Sequence, residues 1–135
     1  MALIFRELHQ AKSSDLLNEE WLLLENSGPN VVNAQGCAVT VARRAADRAH
    51  PIGTLEPGFI LKPNEKIRLV TGTPSKKAQG TPPDDKEVKN YHLFLRERVL
   101  SAPGLVVRLT IKQQELARAV FAPKSKDGIE AAAEE

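Results

Sequence analysis

A short apolar segment near the N-terminus constrains the fold of this chain more than any other feature. Residues 21–24 read Trp-Leu-Leu-Leu between acidic neighbours, and the turn-forming sequence Ser-Gly-Pro-Asn follows at residues 27–30. Leucine also favours a helix, but the apolar run is about five residues long, whereas a helix usually needs roughly 10–12. The turn signal also follows the run at once. The segment therefore predicts a well-buried β-strand at residues 21–25.

The same kind of segment recurs along the chain, with turn residues between one apolar run and the next. Residues 37–41, 66–70 and 105–112 alternate between apolar and smaller or polar side chains. Because successive side chains of a strand point to opposite faces, this period of two is typical of half-buried strands. The predicted strands occupy residues 3–8, 21–25, 31–32, 37–41, 59–61, 66–70, 91–95, 105–112 and 116–121. We therefore expect an all-β fold, an antiparallel β-sandwich of seven to nine strands.

Two longer polar connections separate the predicted strands. Residues 42–58 contain several arginines and Pro51, so this connection is expected to hold a helical turn or two at most. Residues 71–90 contain two glycines and three prolines, and they are predicted to form a mobile loop or to lie over the sandwich surface. Both connections are long enough to carry contacts with a partner.

The length of 135 residues predicts one domain, at residues 1–121, followed by a charged, alanine-rich tail at 122–135 that we expect to be disordered. The single Cys37 excludes an intramolecular disulfide and is typical of a reducing compartment. The opening residues lack the apolar core of a signal peptide. No run approaches the roughly 20 apolar residues that span a bilayer. These features predict a cytoplasmic protein that does not enter a membrane.

The predicted core is built from the inward-facing positions of the strands. Trp21, the only tryptophan, is predicted to fill the space between the two sheets. Cys37 is expected to act as a small buried hydrophobe. Glu20 and Glu25 are expected to be solvated or to pair across strands. The predicted core anchors are Trp21, Leu22, Leu24, Val39, Ile67, Leu69 and Leu109.

Several blocks of the sequence resemble the lamin-tail domain family. Residues 20–28 are similar to the family's acidic-aromatic strand that ends in Asn and Gly, and residues 32–39 to its next block, except that Cys37 replaces an aromatic residue. The turn at residues 61–64 has Asn64 where the family has Gly, and Asn tolerates a positive φ. Residues 101–121 take the place of the closing strands, without the usual Gly-Asp step.

The resemblance covers roughly residues 3–121 and identifies a divergent, bacterial-type, stand-alone member of the family. It implies an immunoglobulin-like sandwich with a binding or scaffolding role and without catalysis. No recognised partner-contacting motif of the family is matched here. The expected partner is therefore an unidentified protein, contacted through residues 42–58, through residues 71–90 or through an exposed edge strand.

The residues show no pattern of an enzyme, a metal site or a cofactor site. His9, His50 and His92 lie far apart, and no spacing of His, Cys and acidic residues matches a metal motif. A nucleophilic role for Cys37 would need a neighbouring histidine, which the sequence does not place. We therefore predict no catalytic residues, no metal and no cofactor.

An alternative function is nucleic-acid binding through a basic surface. Residues 37–118 carry fifteen basic and eight acidic residues, a net charge of +7. Lysine and arginine side chains that follow a phosphate backbone give salt-dependent, sequence-tolerant binding. Interleaved acidic residues at positions 47, 84, 85 and 87 oppose this interpretation. The candidate contacts are Arg43, Arg44, Arg48, Lys76, Lys77, Lys86 and Lys89.

Overall fold

A computed structural model describes residues 3–13, 15–43, 50–55, 59–73, 77–82, 88–95, 98–100, 103–112, 114–125 and 127–129. These ranges contain ten strands, against the seven to nine predicted, and two 3₁₀ helices at Leu17–Glu19 and Lys77–Gln79. The strands are β1 (Leu3–His9), β2 (Trp21–Asn26), β3 (Val32–Asn33), β4 (Ala38–Ala42), β5 (His50–Thr54), β6 (Ile60–Leu61), β7 (Lys66–Val70), β8 (Lys89–His92), β9 (Val106–Ile111) and β10 (Gln114–Val120).

The strands form two four-stranded sheets that enclose one hydrophobic core. The first sheet has the order β1-β2-β7-β8, and the second has the order β10-β9-β4-β5. Strands β3 and β6 form a separate two-stranded sheet. Buried residues of all three sheets belong to one cluster, so their inner faces pack together. The prediction of an all-β sandwich is confirmed.

The period of two decides which side chains of the first sheet are buried. Leu22 and Leu24 of β2 have no exposed surface, whereas Trp21 and Leu23 lie on the opposite face and are half-buried. The prediction that Trp21 is a core anchor is therefore wrong, because a residue next to Leu22 on the same strand must face away from the core. The other anchors lie inside: Leu22, Leu24, Val39, Leu69 and Leu109 are fully buried, and Ile67 is half-buried against the core.

An irregularity in β1 keeps three apolar side chains on the inner face. The pairing of β1 with β2 shifts register between Phe5 and Glu7. An extra residue in one strand reverses the alternation beyond it. Phe5 and Leu8 are three positions apart and are nevertheless both buried, together with Leu3.

The side chain of Asn26 organises the turn that ends β2. Its amide nitrogen donates to the carbonyls of Asn30 at 2.8 Å and Leu61 at 3.0 Å, and its oxygen accepts from the Gly28 N–H at 3.0 Å. The residue is fully buried. Asn64, in the facing turn, has the positive φ of 67° that its residue type allows and donates its N–H to the Asn26 carbonyl at 2.7 Å.

Two expectations about the long connections are corrected. Residues 50–54, predicted to lie in a loop, form strand β5, and its Pro51 is tolerated because β5 is an edge strand. Strand β8 begins at Lys89 and runs parallel to β7, whereas an antiparallel sandwich was predicted. The connection of eighteen residues between these two strands explains the difference, since a parallel pair needs a crossover of a dozen or more residues.

The first part of the predicted disordered tail at residues 122–135 is docked against β1, so the prediction is wrong for residues 122–125 and 127–129. Phe121 forms a β-bridge with Ile129, and the Leu8 N–H donates to the Asp127 carbonyl at 2.9 Å. Gly128 has a φ of +73°, and a Cβ at this position would lie 1.9 Å from the Leu8 carbonyl oxygen. Residues 122–125 and 127–129 therefore lie along the side of the sandwich where β1 and β10 meet. Residues 126 and 130–135 lie outside the described ranges.

Candidate functional site

An exposed aromatic residue, Phe94, follows strand β8 in an unusual backbone conformation. Its side chain is 62% exposed, and its φ is +57°, a value that bulky residues adopt rarely and at an energetic cost. Neighbouring backbone hydrogen bonds hold this conformation: Leu93 N–H to Val70 O at 2.8 Å, Phe94 N–H to Gly72 O at 3.3 Å and Leu95 N–H to Thr71 O at 2.8 Å. The fold therefore keeps the Phe94 ring in solvent.

A cavity of about 160 Å³ lies beside Phe94, between the edges of the two sheets. Gly53 and Thr54 of β5 line it from the second sheet, and residues 91–94 line it from the first sheet. The Tyr91 ring packs edge-on against Phe59, with ring centres 5.2 Å apart, so this wall is anchored in the core. The edges of the two sheets approach closely at the cavity, where a Cβ on Gly53 would lie 3.2 Å from Cδ2 of Leu93.

The described segments that line this cavity lack acidic residues. Residues 50–55 and 88–95 contain no aspartate or glutamate. Lys89 is exposed at the start of β8, two residues before Tyr91 on the same strand. His92 lies 3.2 Å from the Gly72 carbonyl through Nδ1, and its ring centre is 6.4 Å from that of Phe94. The surface therefore combines an apolar ring, a small cavity and cationic or neutral polar groups.

Trp21 belongs to a polar network on the outer face of the first sheet. Its ring stacks on His9 with the ring centres 3.9 Å apart, and its indole N–H donates to Glu7 Oε1 at 3.1 Å. The Arg68 guanidinium lies 5.4 Å from the ring centre and donates to Asn90 Oδ1 at 2.7 Å. Arg68 lies between Ile67 and Leu69 on β7 and therefore points outward, and this cluster buries it to 7% exposure.

Glu20 is a fully buried carboxylate that the sequence led us to expect in solvent or in a cross-strand pair. Oε1 accepts from the Thr71 hydroxyl at 2.7 Å and from the Val99 N–H at 2.8 Å, and Oε2 accepts from the Leu100 N–H at 3.0 Å. Bonds to a charged acceptor are among the stronger hydrogen bonds in proteins. Glu20 therefore joins β2, the end of β7 and residues 99–100, which is a structural role. Glu25, by contrast, pairs with Arg6 of the neighbouring strand, which confirms the expectation of a cross-strand pair for this residue.

The structure does not bring the described basic candidates together. Arg43, Lys77 and Lys89 are all exposed, but they lie on three separate elements. Arg43 follows β4 in the second sheet, and Lys89 begins β8 level with Ile67. Lys77 belongs to the 3₁₀ helix that contacts Leu17–Glu19, beyond the other end of β7. Arg44, Arg48, Lys76 and Lys86 lie outside the described residues.

The described residues contain no group of three or more His, Cys, Asp or Glu side chains arranged to hold a metal ion. His9 and His92 belong to different clusters, and the His50 side chain is not described. Cys37 is fully buried, and burial raises the pKa of its thiol, which opposes formation of the nucleophilic thiolate. The prediction that Cys37 is a core residue is confirmed. Within the described ranges, no helix has the length and apolar character needed to cross a membrane.

Comparison with known proteins finds no family model and no curated protein that matches the chain. The fold defines the protein as an all-β sandwich with two four-stranded sheets and a separate two-stranded sheet. Its most distinctive surface feature is the strained, exposed Phe94 beside the cavity. Phe94 stood in a predicted strand at residues 91–95, and no signal in the sequence marked its exposure.

Proposed function

We propose that the chain is a non-catalytic binding or scaffolding domain that recognises a protein partner. The resemblance to the lamin-tail family implies this role, and the exposure of Phe94 is the observation that supports it best. A bulky residue held in solvent at positive φ costs stability without serving the core, and such strain clusters at functional sites. Aromatic residues are also enriched at protein interfaces.

The two sides of the sandwich differ in a way that favours contact at Phe94. Residues 121–125 and 127–129 lie along the side formed by β1 and β10. Both sides carry a cavity, one of about 220 Å³ between β1 and the segment after β10 and one of about 160 Å³ at β5 and β8. The cavity at β5 and β8 is the one with the exposed Phe94 ring beside it. Pro51 in β5 lacks an N–H group, and proline on an edge strand limits pairing with another chain. This arrangement supports recognition through the loop after β8 rather than through strand addition to β5.

The proposal is tested by capture of partners from a cell lysate with three forms of the protein. Replacement of Phe94 by Ala removes the ring, and replacement of Val31 by Ala is a matched control, since Val31 is 59% exposed at the other end of the molecule. Burial of a phenylalanine contributes about 2 kcal/mol, so F94A should weaken binding about 30-fold. V31A should bind like the wild type, and the partners should persist after nuclease treatment. Equal capture by F94A and the wild type would refute the proposed site.

Nucleic-acid binding remains the alternative proposal and is supported by the net charge of +7 at residues 37–118. The separation of Arg43, Lys77 and Lys89 weakens it, because a phosphate backbone is followed by a continuous basic surface. A fluorescence titration with single-stranded and double-stranded DNA at low salt is the test. Absence of binding at micromolar protein would exclude this alternative. The cytoplasmic location is part of the main proposal and is supported by the single, buried Cys37.

A further inference from the structure

We infer that the partner bound at Phe94 presents an extended peptide segment, which adds a strand to the outer edge of β8 and is recognised mainly through its backbone. This inference rests on the proposed function and specifies how the partner is bound. Strand β8 is the terminal strand of the first sheet, next to β7. The outer edge of such a strand presents backbone N–H and C=O groups with which an extended chain can pair.

The pairing of β8 with β7 sets the direction of these backbone groups. The Leu93 N–H donates to the Val70 carbonyl at 2.8 Å, so the backbone groups of Leu93 face β7. Successive residues of a strand direct their backbone groups to opposite edges, so the N–H and C=O of His92 point away from β7. His92 also lines the cavity between the edges of the two sheets. The backbone of His92 is therefore placed to pair with an added strand.

The cavity suits a peptide backbone at the surface better than a deeply inserted side chain. It is open to solvent, and polar groups form more of its lining than apolar groups. The sheets nearly touch where a Cβ on Gly53 would lie 3.2 Å from Cδ2 of Leu93, so a ligand stays outside the core. Polar groups that lose water need hydrogen-bond partners, which peptide N–H and C=O groups supply. The exposed Phe94 ring then offers an apolar contact to one side chain of the segment.

The other three terminal strands of the two large sheets carry features that hinder strand addition. In β1, the Leu8 N–H already donates to the Asp127 carbonyl at 2.9 Å. Strand β5 contains Pro51, and the pairing of β10 shifts register between Glu115 and Ala117. A covering segment, a proline and a bulge all protect edge strands from pairing. Strand β8 pairs with β7 in regular register along its whole length, so of the four edges it is the best suited to an added strand.

Hydrogen exchange tests this edge in the free protein. The His92 amide should exchange at least about tenfold faster than the Leu93 amide, because the Leu93 N–H is bonded to Val70 and the His92 N–H points outward. A bound peptide should slow exchange at His92. Equal protection of the two amides in the free protein would show that another part of the chain already covers the edge, and it would overturn the inference.

Peptides for the binding test come from a displayed library of random twelve-residue sequences selected on the wild type. His92→Pro removes the outward N–H, and proline is tolerated on an edge strand. His92→Ala is its matched reference, since it removes the imidazole and keeps the N–H. The selected peptides should bind H92P at least about tenfold more weakly than H92A, because a backbone hydrogen bond is lost and the edge is obstructed. They should also bind F94A more weakly than the wild type.

A second measurement keeps the inference testable if H92P does not fold. The nitrogens of a selected peptide are methylated one at a time, and binding to the wild type is measured. Because alternate N–H groups of an added strand face β8, methylation should weaken binding at every second position of the paired segment.

The outcomes separate this inference from the proposed function. Peptides that depend on Phe94 but bind folded H92P and H92A equally, or that lose affinity on methylation without a period of two, would overturn the inference and leave the binding function standing. A selection that enriches no peptide would also overturn the inference, whereas the proposed function fails only if capture from the lysate is indifferent to F94A. Sedimentation covers the remaining occupant: a dimer that forms with H92A and not with H92P would assign the edge to a second copy of the chain and overturn the inference.

Discussion

The buried carboxylate of Glu20 gives the sharpest prediction about stability. Replacement by Gln keeps the size of the side chain but turns one oxygen into an NH₂ group. If the remaining carbonyl takes the place of Oε1, it still accepts from Thr71 and Val99, whereas the NH₂ group faces the Leu100 N–H, 3.0 Å away in the wild type. One hydrogen bond to a charged acceptor is lost, and its donor stays buried, which costs about 2 kcal/mol. Replacement by Ala removes all three bonds and should cost about 4 kcal/mol or more.

Urea unfolding measures these differences. With a slope of roughly 2 kcal/mol per molar urea, Glu20→Gln should lower the midpoint by about 1 M. Glu19→Gln is the matched control, because it removes the same charge from the adjacent, half-buried residue and should leave the midpoint nearly unchanged. Hydrogen exchange of the Leu100 amide should accelerate in the Gln variant more than exchange elsewhere in the core.

Thr71→Val provides a second, independent check of the same geometry. This variant removes the hydroxyl donor and should cost about 1 kcal/mol in the wild type and nearly as much in the Gln variant, since the Oε1 acceptor is kept. In the Ala variant the acceptor is already gone, and the cost should fall close to zero. A Gln variant with unchanged midpoint and unchanged exchange at Leu100, or equal effects of Thr71→Val in all three backgrounds, would refute the reasoning.

Three further predictions follow from other parts of the molecule. Gly128→Ala should release the segment after β10 without unfolding the sandwich, because the new Cβ collides with the backbone carbonyl of Leu8. Faster hydrogen exchange of the Leu8 amide with a nearly unchanged unfolding midpoint would show this, and unchanged exchange would contradict it. Asn26→Ala should cost about 3 kcal/mol, measured by urea unfolding, because the buried side chain loses all three of its hydrogen bonds, whereas the exposed Asn33→Ala should cost less than about 1 kcal/mol. Equal costs would argue against the role of the buried amide. Cys37 should resist alkylation in the folded protein at neutral pH, because burial raises the pKa of its thiol and blocks access of the reagent. Mass spectrometry should show modification only as the chain unfolds or as alkaline pH favours the thiolate. Rapid labelling in native buffer would contradict the buried position.

The most accurate expectations came from patterns that are local along the chain. Strand β7 has the bounds that alternation predicted, residues 66–70, and Asn64 has the positive φ that its place in the turn suggested. The local pattern did indicate the correct orientation of Trp21 and Glu20, but the predictions followed the hydrophobicity of the two side chains instead. Positions 20, 22 and 24 share one face, so the same period of two that buries Leu22 and Leu24 directs Glu20 inward and Trp21 outward.

The remaining features depend on contacts between distant parts of the chain. The sequence by itself determined the all-β class, most strand positions and most of the inward residues, because side-chain alternation is a property of the extended backbone. Only the tertiary structure decided that residues 99–100 supply donors to a carboxylate about eighty positions earlier. The same holds for the contact of β1 with residues 127–129 and for the strained exposure of Phe94. A buried acid needs hydrogen-bond donors, a covered edge needs a segment that packs on it, and a residue at positive φ needs neighbours that restrain it. In each case these contacts come from residues that are distant in the sequence, so only the folded chain brings them together.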